Sequence, residues 1–187
     1  EIADGRSRRG FIGKGRHVFD GRNNHPTIEG PKFYKRNDYY YILAPAGGVP
    51  AGWQVALRSK SPYGPYEDKI VLEQGSTDIN GPHQGGWIDT PTGQSWFMHF
   101  QDCEAYGRIV HLQPVLWKDD WPLMGQVNEK TGKCEPVTTF DKPDIPGQLP
   151  IVNPVESDEF QANELGLQWQ WQANPNLTWY SLLPDAE

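Results

Sequence analysis

The 187-residue chain has only two methionines and two cysteines. None of its apolar runs approaches the ~20 residues that a membrane-crossing helix needs, so no helical membrane segment is expected. Cys103 and Cys134 have no metal-like spacing; two cysteines so placed fix neither a bridge nor a redox compartment. A surplus of positive charge is absent as well. The net charge of -7 argues against nucleic acid as the main partner. One local exception runs over residues 1–36, where nine Lys or Arg face four acids. Without interleaved aromatics, that stretch reads as a phosphate-binding patch or, more simply, as a solvated loop. The opening "EIADGRSRRG" lacks the apolar segment of a signal peptide.

Glycine, proline and aromatic rings are plentiful. There are 20 Gly and 17 Pro, and aromatics make up 12% of the chain, a balance that favours short strands and tight turns over helices. Two stretches nearly repeat: "EGPKFY" at Glu29–Tyr34 and "NGPHQG" at Asn80–Gly85. Their Gly-Pro pairs lie about 51 residues apart, near the length of a propeller blade. Each is followed by the same succession. In the first unit a strand, a polar turn at Lys35–Asp38 and an aromatic strand at Tyr39–Leu43 lead to a third strand at Trp53–Ser61 and a closing strand in "YEDKIVL". In the second, the turn falls at Thr90–Gly93, the aromatic strand at Ser95–Phe100, the third strand in "GRIVHLQPVLW" and the outer one in "DDWPLMG".

Neither unit has a 3.6-residue apolar period, which excludes helical solenoids. A β-sandwich also supplies short strands, but not a Gly-Pro pair repeated at one-blade spacing, so the propeller is the better reading. Two blades do not close a ring. Phe11–Phe19 adds at most one or two strands, so the expectation is the carboxy-terminal part of a propeller whose first blades are absent or lie on another chain. Residues 1–125 are assigned to those blades. Residues 126–156 are Pro-rich and polar and read as a surface linker. Residues 157–187, with three tryptophans in strand-like runs, read as the truncated start of a β-sandwich. Asn176-Leu177-Thr178 fits a glycosylation acceptor, a triplet common by chance.

In a propeller the first strand of each blade lines the central channel, and a residue at its entrance faces the axis. Glu29 stands there in the first unit, whereas its repeat-mate is Asn80. A carboxylate in one copy only is either a cap on the Gly-Pro turn or a functional group; the break in symmetry favours function. His83 follows the second Gly-Pro and points inward on the same logic, as a satisfied structural histidine or as a ligand. Arg108 opens the third strand of the second unit; near Glu29 its planar fork suits a sugar hydroxyl and favours an ionised carboxylate. His99 and His111 lie within apolar strands and read as core or edge residues. Trp53, Trp87, Trp96 and Tyr106 are candidates for stacking on sugar faces, most of them needed for blade packing.

Four segments, "EGPKFYKRNDYYYILAPAGG", "ALRSKSPYGPYE", "NGPHQGGWIDTPTGQSWFMHFQD" and "GRIVHLQPVLWKDDWP", together resemble family 43 glycoside hydrolases, in the branch of β-xylosidases and α-L-arabinofuranosidases. The resemblance is close over about Arg16 to Gly125. It implies an all-β fold with blades of a five-bladed propeller, incomplete in this chain. It implies an inverting glycosidase releasing terminal xylose or arabinofuranose from plant cell-wall polysaccharide, secreted or periplasmic. Glu29 matches the general acid, Arg108 the arginine that contacts the sugar, and His83 the axial histidine beneath it. In some members that histidine helps hold a structural calcium through water; no cofactor is otherwise required. Trp53 is the aromatic assigned to substrate. The pattern departs in one respect: the general base and its supporting aspartate belong upstream of Glu29. Neither Asp4 nor Asp20 has the right context, so the base lies outside this chain, on missing blades or a second chain, and this chain alone is expected to be inactive. The alternative is a carbohydrate-binding propeller without catalysis.

Overall fold

The computed structural model describes residues 15–147, 150, 152–153, 157–171, 174, 176, 178–183. The basic residues Arg6, Arg8, Arg9 and Lys14, and Asp4, lie outside the described residues. The chain divides into two units, Glu1–Pro146 and Gly147–Glu187.

The first unit carries two four-stranded antiparallel sheets of identical order. One comprises β1 (Lys32–Arg36), β2 (Tyr39–Ala46), β3 (Trp53–Ser59) and β4 (Glu67–Glu73); the other comprises β5 (His83–Asp89), β6 (Ser95–Asp102), β7 (Arg108–Lys118) and β8 (Trp121–Met124). Each strand pairs with the next, as blade sheets do. The expected strands are all present, within two residues at most ends. Turn chemistry explains where they break. Asp119 and Asp120 both take positive φ (51° and 57°), the mirror-image turn whose twist matches the β7–β8 hairpin. At Thr90–Gly93 the amide of Gly93 donates to the Thr90 carbonyl at 2.9 Å. Residues 15–19 of the stretch expected to add a preceding strand form none, and 11–14 lie outside the described residues.

The sheets pack on each other through buried apolar side chains. Leu43, Ala56, Val71 and Leu72 of the first meet Phe97 and Met124 of the second, flanked by Tyr34, Trp87, Val115 and Trp121. Phe97 is fully buried, and a Cβ added at Gly85 would enter its ring, so the glycine lets β5 close over it. The opposite face of the first sheet buries Ala46, Val55 and Leu57 under Phe19, Ile28, Trp53 and Tyr66. His99 is buried and stacks between Phe97 and His111, in line with the core reading of that histidine.

Residues 126–146 differ from the expected surface linker. A short hairpin of β9 (Gln126–Val127) and β10 (Cys134–Glu135) docks against β4 and β8, with both residues of β10 buried. The reason is polar: the Glu135 carboxylate accepts from the Ser76 amide (2.8 Å), the Ser76 hydroxyl (3.0 Å) and Asn128 Nδ2 (3.0 Å). Beyond it Phe140 sits edge-on to Trp96, and the Asp144 amide donates to Gln94 Oε1 at 2.8 Å. Both cysteines are free thiols; Cys134 is buried and Cys103 partly exposed.

Among the described residues of the second unit no strand forms. Its tryptophans make aromatic contacts instead, Trp171 with Trp179 and Tyr180, and Trp169 with Phe160. Leu167 and Trp179 remain exposed, as strand-forming residues are when no neighbouring strand covers them.

Candidate active site

Glu29 precedes β1 and is fixed by its backbone, its amide donating to the Pro45 carbonyl at 3.0 Å. The loop leading to it is pinned to the same sheet. The Gly47 amide donates to the Pro26 carbonyl at 2.8 Å, and buried His25 binds Asp68 at 2.8 Å through Nε2. Trp53 completes that support. Its indole N–H donates to His25 Nδ1 at 3.2 Å, which sets the imidazole tautomer, with the proton on Nε2 facing Asp68.

His83 is the first residue of β5, the counterpart in the second sheet of the position Glu29 leads into. The two meet across the blades. His83 Nε2 lies 2.9 Å from Glu29 Oε1, with the imidazole 1% exposed and the carboxylate 54% exposed. Next to it the Gln84 amide donates to the same oxygen at 3.2 Å. Arg108 opens β7 with its guanidinium 4.7 Å from the centroid of Phe100, whose ring in turn lies 5.8 Å from that of His83. The chain of contacts therefore runs Arg108, Phe100, His83, Glu29. Among the described residues Arg108 makes no ion pair, which leaves its fork available.

This surrounding holds the Glu29 carboxyl below the usual carboxylate range. The hydrogen bond from His83 is the largest cause and that from Gln84 the next; partial burial opposes them, and the charges of His83 and Arg108 add to the lowering. His83 Nδ1 is buried with no partner among the described residues. No group of three or more His, Cys, Asp or Glu among the described residues is arranged to cage a metal.

Of the residues singled out in the sequence, the structure brings Glu29, His83 and Arg108 into one neighbourhood. Trp53 is placed differently. Its ring packs with the blade face around Val55 and Leu57, and its one polar atom is taken by His25, so it supports the loop that carries Glu29. Trp96 is buried and Trp87 is held between Tyr34 and Trp117; Tyr106, in the Glu104–Tyr106 turn, is the exposed member of that set. Gln84 was not anticipated. The one signal for it was the Gly-Gly that follows, which marks a bulge in a strand.

The family model for glycosyl hydrolases family 43 matches residues 10–122. A "Putative beta-xylosidase" of Xylanibacter ruminicola is 46% identical over 96% of the chain and 33% of its own length. The non-reducing end α-L-arabinofuranosidase BoGH43B of Bacteroides ovatus is 33% identical over 82% of the chain and 30% of its own length. Among solved structures, a xylan β-1,4-xylosidase from Bacillus halodurans superposes with a TM-score of 0.69 at 26% identity, over 84% of this chain and 32% of that one. The chain thus spans about a third of the length of these relatives. With two blade sheets in the same order and the motif residues at the entrances of their first strands, the chain belongs to the glycosyl hydrolases of family 43.

Proposed function

We propose that this chain carries the acid half of the active site of an inverting glycosidase that releases terminal xylose or arabinofuranose from xylan-type polysaccharide. One observation carries the reading: Glu29 presents a half-exposed carboxyl whose Oε1 is held by buried His83, while its other oxygen accepts nothing among the described residues. A group so held transfers a proton from a fixed position, and general acid catalysis depends on that geometry before it depends on pKa. Relatives named for β-xylosidase and α-L-arabinofuranosidase activity support a pentose substrate.

Inversion needs a second carboxylate roughly 6.5–9.5 Å away to activate water on the opposite face of the sugar. In this reading the base comes from blades outside this chain, in the same polypeptide or in a second one. Those blades have a further task. Within this chain Glu29 is pushed toward ionisation, whereas a general acid keeps its proton near neutrality, and carboxylates brought to face it raise it. Arg108 contacts the sugar beside the acid, and the His83 ring lies beneath it; Trp53 contributes by bracing the Glu29 loop. An axial calcium suits one feature of the site. The Nδ1 of His83, without a partner among the described residues, is an acceptor for a water that such an ion holds, a hard cation taking oxygen ligands in preference to the imidazole itself. Bound there, it supplies positive charge on the axis. Polysaccharide does not cross a membrane, so the protein works secreted or in the periplasm.

The test is Glu29→Gln in the complete enzyme. Hydrolysis of xylo-oligosaccharides falls by about 10²–10⁴-fold, the contribution of such a group, while pentose binding followed by tryptophan fluorescence persists. Unchanged hydrolysis ends the acid assignment. Binding without hydrolysis in the unaltered enzyme supports the second reading, a carbohydrate-binding propeller.

A further inference from the structure

Gln84 holds a backbone conformation that its side chain disfavours, with φ at +49°. It does so at a bulge: His83 faces Phe100 and Gly86 faces Met98, so Gln84 and Gly85 together stand opposite the single residue His99. Bulges of this kind re-aim a side chain, and non-glycine residues in the left-handed region gather at functional sites. Here the redirected amide crosses from the second blade to the first. It reaches Glu29 Oε1 at 3.2 Å through a gap that exists because residue 30 is glycine; a Cβ there would collide with the Gln84 amide. The backbone carbonyl of Gln84 is held as well, accepting from Lys32 Nζ at 3.4 Å.

Both donors, His83 Nε2 and Gln84 Nε2, address the same carboxylate oxygen, and among the described residues Oε2 of Glu29 accepts nothing. We propose that Gln84 is a positioning residue that, with His83, ties down Oε1 of Glu29 and so makes Oε2 the atom that carries the transferable proton. An oxygen already accepting two N–H groups has no favourable place for a hydrogen of its own, because an O–H there would point at donors. In the transfer, the glycosidic bond's electron pair goes to the departing oxygen, which takes the hydrogen as the Oε2–H bond breaks. The carboxylate left behind keeps both donors on Oε1 without rearrangement. This rests on the reading of Glu29 as general acid for its consequence in catalysis, though the arrangement of the amide does not.

Two variants test it. Gln84→Gly keeps the left-handed backbone at ease and removes the amide; Gln84→Glu puts a like charge in its place. Carboxyl-carbon NMR of this chain reads the titration of Glu29, which shifts upward in the first variant and further upward in the second. A midpoint unmoved in both overturns the proposal, whatever the enzyme does. In the complete enzyme, Gln84→Gly lowers kcat on xylobiose by about tenfold with KM within about twofold. It leaves turnover of an aryl xyloside, whose phenolate departs without a proton, near the unaltered value. Equal losses on both substrates mean a merely structural role and also overturn it. A Glu29→Gln enzyme with full activity defeats the catalytic reading instead, and leaves the titration result standing.

Discussion

The imidazole of His83, 1% exposed, meets the half-exposed carboxylate of Glu29 at 2.9 Å, joining the first strand of one blade to the residue that leads into the first strand of the other. The contact accounts for the difference between "EGPKFY" and "NGPHQG". The two repeats hold equivalent places and divide this contact between them: one copy supplies the carboxylate and the other the imidazole that holds it.

That division makes a prediction for His83→Ala. The hydrogen bond from His83 is the largest cause of the lowered Glu29 carboxyl, so the Glu29 midpoint rises in the variant, read by carboxyl-carbon NMR. The sign of the stability effect follows. A carboxyl lowered in the fold stabilises it above the ordinary carboxylate range, and this is lost as pH falls through the lowered value. The difference in urea midpoint between the two proteins therefore narrows in acid. A gap independent of pH in that range contradicts the linkage.

Much of this was legible in the sequence, for identifiable reasons. Aromatic runs such as Tyr39–Leu43 and the turn at Thr90–Gly93 are local signals, and the strands follow them closely. The meeting of Glu29 and His83 was legible through the repeat, since both stand at the entrance of a blade's first strand; Arg108 opens a third strand, and only the family resemblance pointed to its nearness. Gln84 was hidden because its placement depends on a bulge and a positive φ, which residue type does not announce. The role of Trp53 was hidden for a different reason. A tryptophan suits sugar stacking and core packing alike, and only the position of His25, 28 residues earlier, decides between them.

The expected linker, residues 126–156, is polar in composition, and in its first part, residues 126–137, polarity is what docks the chain. The buried Glu135 carboxylate receives the amide and hydroxyl of Ser76 and the amide of Asn128. Glu135→Ala leaves those donors unsatisfied and is expected to cost about 1–3 kcal/mol. Hydrogen exchange at the Ser76 amide then rises well beyond the global loss of stability, because the hairpin frees first. If protection at Ser76 follows global unfolding alone, the carboxylate is not what fastens the hairpin.

His99 is 3% exposed between Phe97 and His111, and burial pushes its imidazole down to about 4, with the neighbouring His111 adding to the lowering against a hydrogen bond to the Phe100 carbonyl. His111 is lowered too, also by burial. An unfolded histidine takes a proton near 6.5, so between pH 6.5 and about 4 the unfolded chain binds protons that the folded chain refuses. Stability accordingly falls as pH drops through that window, by about 3 kcal/mol in total from His99. His99→Phe keeps a ring against Phe97 and removes the titrating group. Urea unfolding from pH 7 to pH 4 should then show a shallower decline in the variant than in the unaltered chain. Parallel declines would mean that the buried imidazole is not the acid-sensitive element of the second blade.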